Sequence, residues 1–168
     1  FQGDILGMPL LAFADSPETV TAVTDVVLAP FSREKLAQIM ADHPRLAALI
    51  LGLSVAERVA MADRLASIGR TSARARVGSL ICEIFGRMRR LGAIEGDAIQ
   101  LPLTQEDIGD ATGLTAVHVN RMMRALVEDG IIERSGSQIR LRDEKRLVAE
   151  SNFVDRTGLE TGWLPPPR

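Results

Sequence analysis

The sequence predicts an α+β protein that is mostly helical and carries a winged helix-turn-helix in its C-terminal half. Three observations support this prediction. Two short amphipathic segments, Thr104–Gly113 and Thr115–Gly130, follow each other across a glycine turn. Two short segments that alternate in polarity come next, which is typical of a β-hairpin. Upstream, a segment of about twenty-five residues repeats apolar side chains at helical spacing.

The first of the two amphipathic segments has the features of a short helix. Thr104 can cap its start, with Asp107 three residues later. Ile108 is apolar among charged neighbours, and Gly109 is small enough for another helix to cross close by. Gly113 is expected to end the helix, because glycine adopts the left-handed conformation of a C-cap without steric cost.

The second amphipathic segment presents the face on which the function is predicted. Thr115 caps its start, and apolar residues recur at intervals of three and four, which predicts one buried stripe. At about 100° per residue, Val117, Arg121, Arg124 and Glu128 lie opposite this stripe. The stripe consists of Val119, Met122, Met123, Leu126 and Val127.

A short β-hairpin, the wing, is predicted after Gly130. Residues 131–134 and 138–141 alternate like strands, and residues 135–137 form the tight turn between them. Ahead of the two short helices, residues 73–91 carry an apolar stripe on one face. We expect this longer helix to form the floor of the same domain.

The order of these elements resembles the bacterial Crp/Fnr regulators, named for the cyclic-AMP receptor protein and the fumarate-nitrate reduction regulator. The resemblance is carried by TQEDIGDATGLTAVHVNRMMRALVEDGIIE, by the wing, by the upstream helix LASIGRTSARARVGSLICEIFGRM and by GDILGMPLL near the start. It covers nearly the whole chain, and the order of the pieces is more specific than any single motif. It implies a homodimeric, sequence-specific DNA-binding transcription regulator that reads a palindromic site through the helix 115–129.

The resemblance also divides the chain into four parts. Residues 1–43 correspond to the C-terminal part of a cyclic-nucleotide-binding-like β-roll, followed by a short helix. Residues 44–69 correspond to the dimerisation helix, and residues 70–152 to the winged helix-turn-helix domain. Residues 153–168 are a C-terminal tail that is mostly loop.

The first thirty-one residues are expected to be strands and turns. An apolar run extends from Ile5 to Phe13, and Val and Thr are frequent from Thr19 to Phe31. In the resembled family this is the last part of the β-roll, whose first half is absent here, so this portion should be incomplete and exposed. The chain also lacks an initiator methionine, which suggests a fragment or a processed chain.

The long helix that starts at Pro44 has the pattern of a dimerisation surface. Its apolar side chains keep nearly one face, and a single helix with such a stripe needs a partner. The alternative is that the helix packs only on its own β-roll. A hinge is expected at Gly69–Ser72, where the helix ends. The residues predicted at the dimer interface are Leu46, Leu49, Ile50, Leu53, Ala56, Ala60, Leu65 and Ile68.

Arg121 is the leading candidate for a base contact, because it projects from the middle of the second helix and can form paired hydrogen bonds to guanine O6 and N7. The resemblance implies the same role, since the family has a base-contacting arginine there. The family's other base readers match Ala116 and Val117, a departure that leaves Val117 suited to a thymine methyl group. His118 and Asn120 can reach phosphates or an adenine edge, although His118 is equally well explained as a partly packed surface residue.

Phosphate contacts are expected where helix starts offer hydroxyls and backbone amides. Thr104, Gln105 and Thr115 meet this condition, and capping alone explains both threonines equally well. The wing adds side chains for the neighbouring backbone. The full predicted DNA-binding set is Thr104, Gln105, Thr115, Ala116, Val117, His118, Asn120, Arg121, Arg124, Arg134, Ser135 and Arg140.

A local basic surface is also expected between Gly69 and Gly92, where arginines greatly outnumber the single acid, Glu83. The alternative for each of them is a solvated helix face. The arginines are Arg70, Arg74, Arg76, Arg87, Arg89 and Arg90.

The cofactor is unknown, and the sequence disfavours cyclic AMP. In the resembled family a glutamate and an Arg-Ser pair hold this ligand, and the matching positions are Met8 and Glu18-Thr19. An acid where a phosphate must sit is repulsive. The single Cys82, expected to be partly buried, excludes an intrachain disulfide and fits a reducing cytoplasm. His43 has no second histidine nearby, so no metal site is predicted.

Composition narrows the function classes further. The net charge of −2 argues against coating nucleic acid by bulk charge, and it permits a winged helix that binds proteins without specific DNA binding, the alternative function. The sequence contains no apolar run of about eighteen residues, so no membrane span is predicted. An enzyme is not expected, because no nucleophile–base pair or phosphate-binding loop is found. The expected partners are double-stranded DNA and a second copy of the chain, with RNA polymerase as a further candidate, in the cytoplasm.

Overall fold

A computed structural model of the chain describes residues 1–94, 96–156 and 158–166. The chain forms two compact units, Phe1–Met61 with Gly158–Arg168, and Ala62–Thr157. The division between them falls inside the long second helix, so each unit contains part of that helix. The domain boundary expected at residue 69 stays a prediction.

The described residues form six α-helices and three β-strands. The described helices include no candidate transmembrane segment. The elements are α1 (Arg33–Asp42), α2 (Pro44–Arg70), α3 (Ala73–Arg90), β1 (Ala98–Gln100), α4 (Gln105–Thr112), α5 (Ala116–Glu128), β2 (Ile132–Ser135), β3 (Gln138–Leu141) and α6 (Glu144–Ser151).

The first thirty-one residues, all of them described, do not form the strands that the sequence predicts. Ile5–Phe13 and Thr19–Phe31 are irregular, apart from a short 3-10 helix at Met8–Leu11. Few side chains here are even half-buried, and Val27 is 99% exposed. Because a strand satisfies its backbone groups only by pairing with neighbours, an isolated stretch of β-prone residues stays irregular. The prediction of strands was wrong for this segment, whereas its expected exposure is confirmed.

The first unit also contains α1 and the greater part of α2. Ser32 caps α1 by accepting a hydrogen bond of 3.2 Å from the backbone N–H of Lys35. Leu36 and Ile50 are the buried apolar residues of these helices in this unit. The tail of the chain is tied to α2 by Arg45, whose Nη1 donates to the Pro165 carbonyl at 2.6 Å. Helix α2 begins at Pro44, as the sequence predicts, and ends one residue beyond the predicted position.

The second unit is a winged helix-turn-helix domain. Its three antiparallel strands lie in the order β1–β3–β2, so the last strand in the chain occupies the centre of the sheet. The wing pairs Ile132 with Leu141 and Ser135 with Gln138 around Gly136, whose φ of 59° is the left-handed conformation that the tight turn requires. The predicted wing is thereby confirmed.

The core of the second unit lies where α3, α5, α6 and the sheet meet. Phe85 of α3 is 1% exposed, and Met123 of α5 is equally enclosed at 2%. Leu147 of α6 packs against Gly78 of α3, where an added Cβ would approach its Cδ1 to 3.1 Å. Burial of this apolar area is the main source of the unit's stability and holds α5 by one face only.

Candidate nucleic-acid interface

The first helix of the helix-turn-helix, α4, begins with a complete capping box. The Thr104 hydroxyl accepts from the Asp107 backbone N–H at 3.1 Å, and an Asp107 carboxylate oxygen accepts from the Thr104 backbone N–H at 2.7 Å. The hydrogen bonds from the Thr104 hydroxyl and backbone hold the pKa of the Asp107 carboxyl below its usual range. The cap therefore occupies the Thr104 hydroxyl and the backbone amides of Thr104 and Asp107, and it places a carboxylate at the helix start, where it repels a phosphate.

The turn between the two helices depends on the absence of a side chain at Gly109. A Cβ at this position would lie 2.5 Å from the backbone carbonyl oxygen of Leu114. The Leu114 N–H donates back to the Gly109 carbonyl at 2.9 Å, and Gly113 ends α4 with a φ of 67°. The predicted C-cap is confirmed, and the close approach at Gly109 is to the backbone of the turn itself.

The second helix, α5, buries one face and leaves the other open. The predicted stripe is confirmed for Val119, Met123 and Leu126, which are fully buried, but Val127 is 40% exposed. On the opposite face Val117 is 82% exposed, and Arg121 and Arg124 are exposed as well. This face matches the one predicted from the spacing.

The arginines of the open face are not engaged by other residues in the described part of the chain. Among the described residues, no hydrogen-bond or ion-pair partner is found for Arg121 or Arg124. Asn120 is also exposed, whereas Ala116 and His118 on the flanks are half-buried. The open face therefore presents two free guanidinium groups and one apolar side chain to solvent.

The start of α5 differs from that of α4 in charge. The Thr115 hydroxyl accepts from the His118 backbone N–H at 3.3 Å, and no acid lies in the first turn of α5. In α4 the first turn holds Glu106 and Asp107. Since free amides at a helix start attract anions, only the start of α5 is electrostatically suited to a phosphate.

Gln105 and the wing residues differ in how available they are. Gln105 is half-buried, and its Oε1 atom is enclosed without a hydrogen-bond partner. Ser135 is exposed, and the Nε of exposed Arg134 donates to the Gly136 carbonyl at 3.2 Å, which leaves the end of its guanidinium free. Arg140 is instead paired with Asp97, which directly precedes β1. Of the two wing arginines, Arg134 is the one placed for an external anion.

Most arginines of the basic surface expected around α3 are bound within the fold, and two of them pair with acids from distant parts of the sequence. Arg74 binds Asp129 at 2.6 Å and Glu150 at 3.0 Å. Arg89 forms two hydrogen bonds of 2.9 Å with Glu144. Arg76 donates only to backbone carbonyls, and Arg87 pairs with Glu83 at 3.4 Å. The prediction was therefore wrong for these four arginines, and only Arg70 and Arg90 remain exposed without a partner among the described residues.

The predicted dimerisation residues fall into three groups. Ile50 is buried in its own unit, and Leu49, Ala56 and Ala60 are half-buried. The other four, Leu46, Leu53, Leu65 and Ile68, are exposed, and Leu65 is 72% exposed. Three further exposed apolar residues of the same helix lie off the stripe that the spacing predicts. These residues are Leu51, Val55 and Met61.

Cys82 and the candidate ligand residues show no built site. Cys82 is buried rather than partly buried, and burial raises the pKa of its thiol to about 11, so the thiolate is disfavoured. Met8 lies half-buried in the short 3-10 helix, and Glu18 is exposed. In the described part of the chain, no cluster of histidine, cysteine and acidic side chains could hold a metal ion.

Comparisons with known proteins place these features in a family context. The family model of the Crp-like helix-turn-helix domain matches residues 75–150. The chain is 32% identical over 144 residues to the transcriptional activator protein FnrL of Cereibacter sphaeroides, a match that covers 83% of this chain and 58% of that protein. It is 31% identical over 150 residues to the nitrogen fixation regulation protein FixK of Bradyrhizobium diazoefficiens, covering 88% of this chain and 61% of the relative.

A solved structure supports the same likeness. FixK2 from Bradyrhizobium japonicum superposes with a TM-score of 0.64 at 29% identity, covering 73% of this chain and 60% of that one. The chain thus spans about three fifths of the length of the relatives that it matches.

Proposed function

The chain belongs to the Crp/Fnr family, and from this premise we propose that it is a sequence-specific DNA-binding transcription regulator. It acts as a homodimer that reads a palindromic site, with α5 of each copy in the major groove. The names of the relatives describe regulators rather than enzymes, which supports the expectation that the chain catalyses no reaction.

The open face of α5 is the observation that carries this proposal. A helix held by one apolar face, with the other bare, has the shape and exposure that the major groove accommodates. Arg121 and Arg124 are free of intrachain partners among the described residues, so no ion pair has to break before they contact DNA. Breaking such a pair would cost free energy that base contacts would have to offset.

Each exposed residue of this face suits a particular part of the duplex. Arg121 can donate two hydrogen bonds to guanine O6 and N7, whereas the 82% exposed Val117 can contact only an apolar group, the thymine methyl. Asn120 suits an adenine edge, and His118 or Arg124 a phosphate. The Thr115 end of α5 and Arg134 of the wing complete the backbone contacts.

Dimerisation is supported by the exposed apolar residues of α2. Leu46, Leu53 and Leu65 leave apolar surface exposed on this helix, with Ile68 partly covered by the turn at Gly113, and a second copy of the same helix would bury the exposed part. Two α5 helices that enter one face of the duplex need centres about 34 Å apart, one helical turn of DNA. This requirement predicts a palindrome.

The remaining partners follow the family. RNA polymerase is a candidate partner and the cytoplasm the expected location, while the effector stays unassigned. Exposed Glu18 at the position of the family's phosphate-binding pair supports the view that cyclic AMP is not that effector.

Selection of bound sequences from random double-stranded DNA tests the proposed function. The expected result is a palindromic consensus with half-sites one helical turn apart, bound by a dimer in light scattering. Affinity for this sequence should fall steeply as salt rises, because phosphate contacts release counterions. Recovery of no consensus, together with binding that salt barely changes, would identify a protein-interaction module instead.

A further inference from the structure

Arg76 binds two parts of the second unit at once, the end of α2 and the end of α4. It lies in the first turn of α3 and is half-buried. Its Nε donates to the Thr71 carbonyl at 3.3 Å, just beyond the end of α2. Its Nη1 donates to the Thr112 carbonyl at 3.2 Å, at the last residue of α4. One guanidinium thereby bridges the end of α2 and the turn of the helix-turn-helix.

Both carbonyls are suited to a cation. The last carbonyls of a helix lack intrahelical partners and carry the negative end of its dipole. Thr112 is only 3% exposed, and its hydroxyl is already used in a 2.6 Å hydrogen bond to the Ile108 carbonyl. Arg76 therefore supplies a charge-assisted hydrogen bond at a place that water reaches poorly.

Apolar contact joins the same two parts beside this bridge. A Cβ built on Gly113, in the turn between α4 and α5, would lie 3.5 Å from Cγ2 of Ile68 in α2 and 3.7 Å from Nη1 of Arg76. The turn therefore packs directly on the last turns of α2. The left-handed glycine and the bridging arginine occupy one small region.

Ion pairs hold the same end of α2 to the rest of the unit. Arg64 binds Glu83 of α3 at 2.6 Å, and Asp63 pairs with Arg156 beyond α6. The second unit accordingly starts at Ala62 and includes the last turns of α2. These pairs anchor α2 to α3 and the tail, whereas Arg76 and Ile68 lie against the turn that precedes the reading helix.

We infer that Arg76 is a positioning residue for DNA reading: it fixes the helix-turn-helix to the end of α2 and so sets the spacing of the two α5 helices in a dimer. This inference rests on the proposed function, in which α2 pairs the copies and α5 reads the bases. Loss of the bridge frees the turn to shift against α2. A single half-site is then still read, but the preferred distance between half-sites is no longer defined.

The test measures the affinity of the full chain for the selected palindrome and for versions with one base pair inserted or removed at the centre. One base pair rotates a half-site by roughly 34°, so the wild-type chain should lose about tenfold in affinity. Arg76→Lys keeps the charge but cannot span both carbonyls. In this variant the loss should shrink to about twofold, while affinity for an isolated half-site stays unchanged.

Arg89→Lys is the matched control. It removes a bidentate arginine from the same helix, but its partner, Glu144, lies in α6 and not in the helix-turn-helix. A purely structural effect of weakening α3 would change both variants alike. If Arg76 is a positioning residue, Arg89→Lys should still lose about tenfold in affinity when one base pair is inserted or removed, because its bridge is intact.

The possible failures are distinguishable. A wild-type chain that selects no palindrome overturns the proposed function and this inference with it. A steep spacing preference that Arg76→Lys retains overturns the positioning role alone. If Arg76→Lys does not fold, Arg76→Gln replaces it. A chain that unfolds with both changes makes Arg76 a folding residue and also overturns the inference.

Discussion

The two helices of the helix-turn-helix are both capped by threonine, and yet their N-terminal ends differ in charge. Thr104 and Thr115 each accept a backbone hydrogen bond three residues later. In α4 that later residue is Asp107, whose carboxylate closes the capping box. In α5 it is His118, and no acid follows in the first turn. The start of α4 is thus sealed by a negative charge, and that of α5 is open to an anion.

This difference separates support from recognition within one motif. The polar groups at the start of α4 form hydrogen bonds with each other and hold the turn. In α5, Val117 and Arg121 are exposed, and Arg121 has no partner among the described residues. A threonine cap is therefore a signal for a helix start and not for a phosphate site. The residue three positions later decides which of the two roles is available.

The largest expected effect comes from a substitution in α4, the helix that supports the turn. Gly109→Ala places a Cβ 2.5 Å from a backbone oxygen, which no side-chain rotation can relieve. We expect the free energy of unfolding to fall by about 3 kcal/mol, at the upper end for overpacking. Gly69→Ala is the control, since nothing lies within 4 Å of a Cβ there. Denaturant unfolding of both variants is the measurement, and equal stability would contradict the close contact.

The next largest effect is expected on DNA affinity, from a substitution in α5, the proposed recognition helix. Arg121→Ala should weaken binding to the selected palindrome by about 2 kcal/mol and relax one base position. Binding to scrambled DNA should change much less, because a base contact carries the sequence information. Lys145→Ala, which removes one exposed positive charge from α6, is the control for net charge. Equal losses of Arg121→Ala on both DNAs, in fluorescence anisotropy, would refute base reading.

Removal of each threonine cap in turn compares the two helix starts directly. Thr104→Ala and Thr115→Ala should each cost about 1 kcal/mol of stability in thermal unfolding. Only Thr115→Ala should also weaken DNA binding, by about fivefold, the worth of one hydrogen bond of about 1 kcal/mol. A similar loss of DNA affinity in Thr104→Ala would show that the capping box leaves the start of α4 available to phosphate.

The smallest expected effect is the pH dependence of the capping box. Hydrogen bonds from Thr104 lower the pKa of Asp107 in the folded chain. A lowered pKa means that the folded state binds the proton more weakly than the unfolded state, so the cap stabilises fully at neutral pH and is lost as pH falls through that lowered value. Asp107→Asn should remove this part of the acid destabilisation in thermal unfolding, whereas Asp110→Asn on the same helix should not. Parallel pH profiles of wild type and Asp107→Asn would contradict the capping role.

Local signals and long-range pairing explain which sequence predictions held. Gly113, the threonine caps and the stripe of α5 act within a few residues, so the helix-turn-helix could be read directly from the sequence. The strands expected in residues 1–31 need partners from elsewhere, and a β-prone composition does not show whether these are present.

Charge pairing is equally hard to read from sequence. Arg74 and Arg89 appear basic beside their neighbours, but their acids come from α6 and from the end of α5. Arg140 is likewise paired with Asp97, forty-three positions away in sequence. By contrast, Arg121 pairs with no acid among the described residues. The free arginines could be separated from the paired ones only once the fold was known.

Chemical protection of guanine in the complex is the most direct test of the account. Guanine N7 lies in the major groove, where the open face of α5 is proposed to bind. Dimethyl sulfate methylates N7, so the wild-type chain should protect one guanine in each half-site of the selected palindrome, and Arg121→Ala should leave that guanine reactive while still bound at raised protein concentration. Guanines that stay fully reactive in the wild-type complex, or protection that Arg121→Ala retains, would contradict the account.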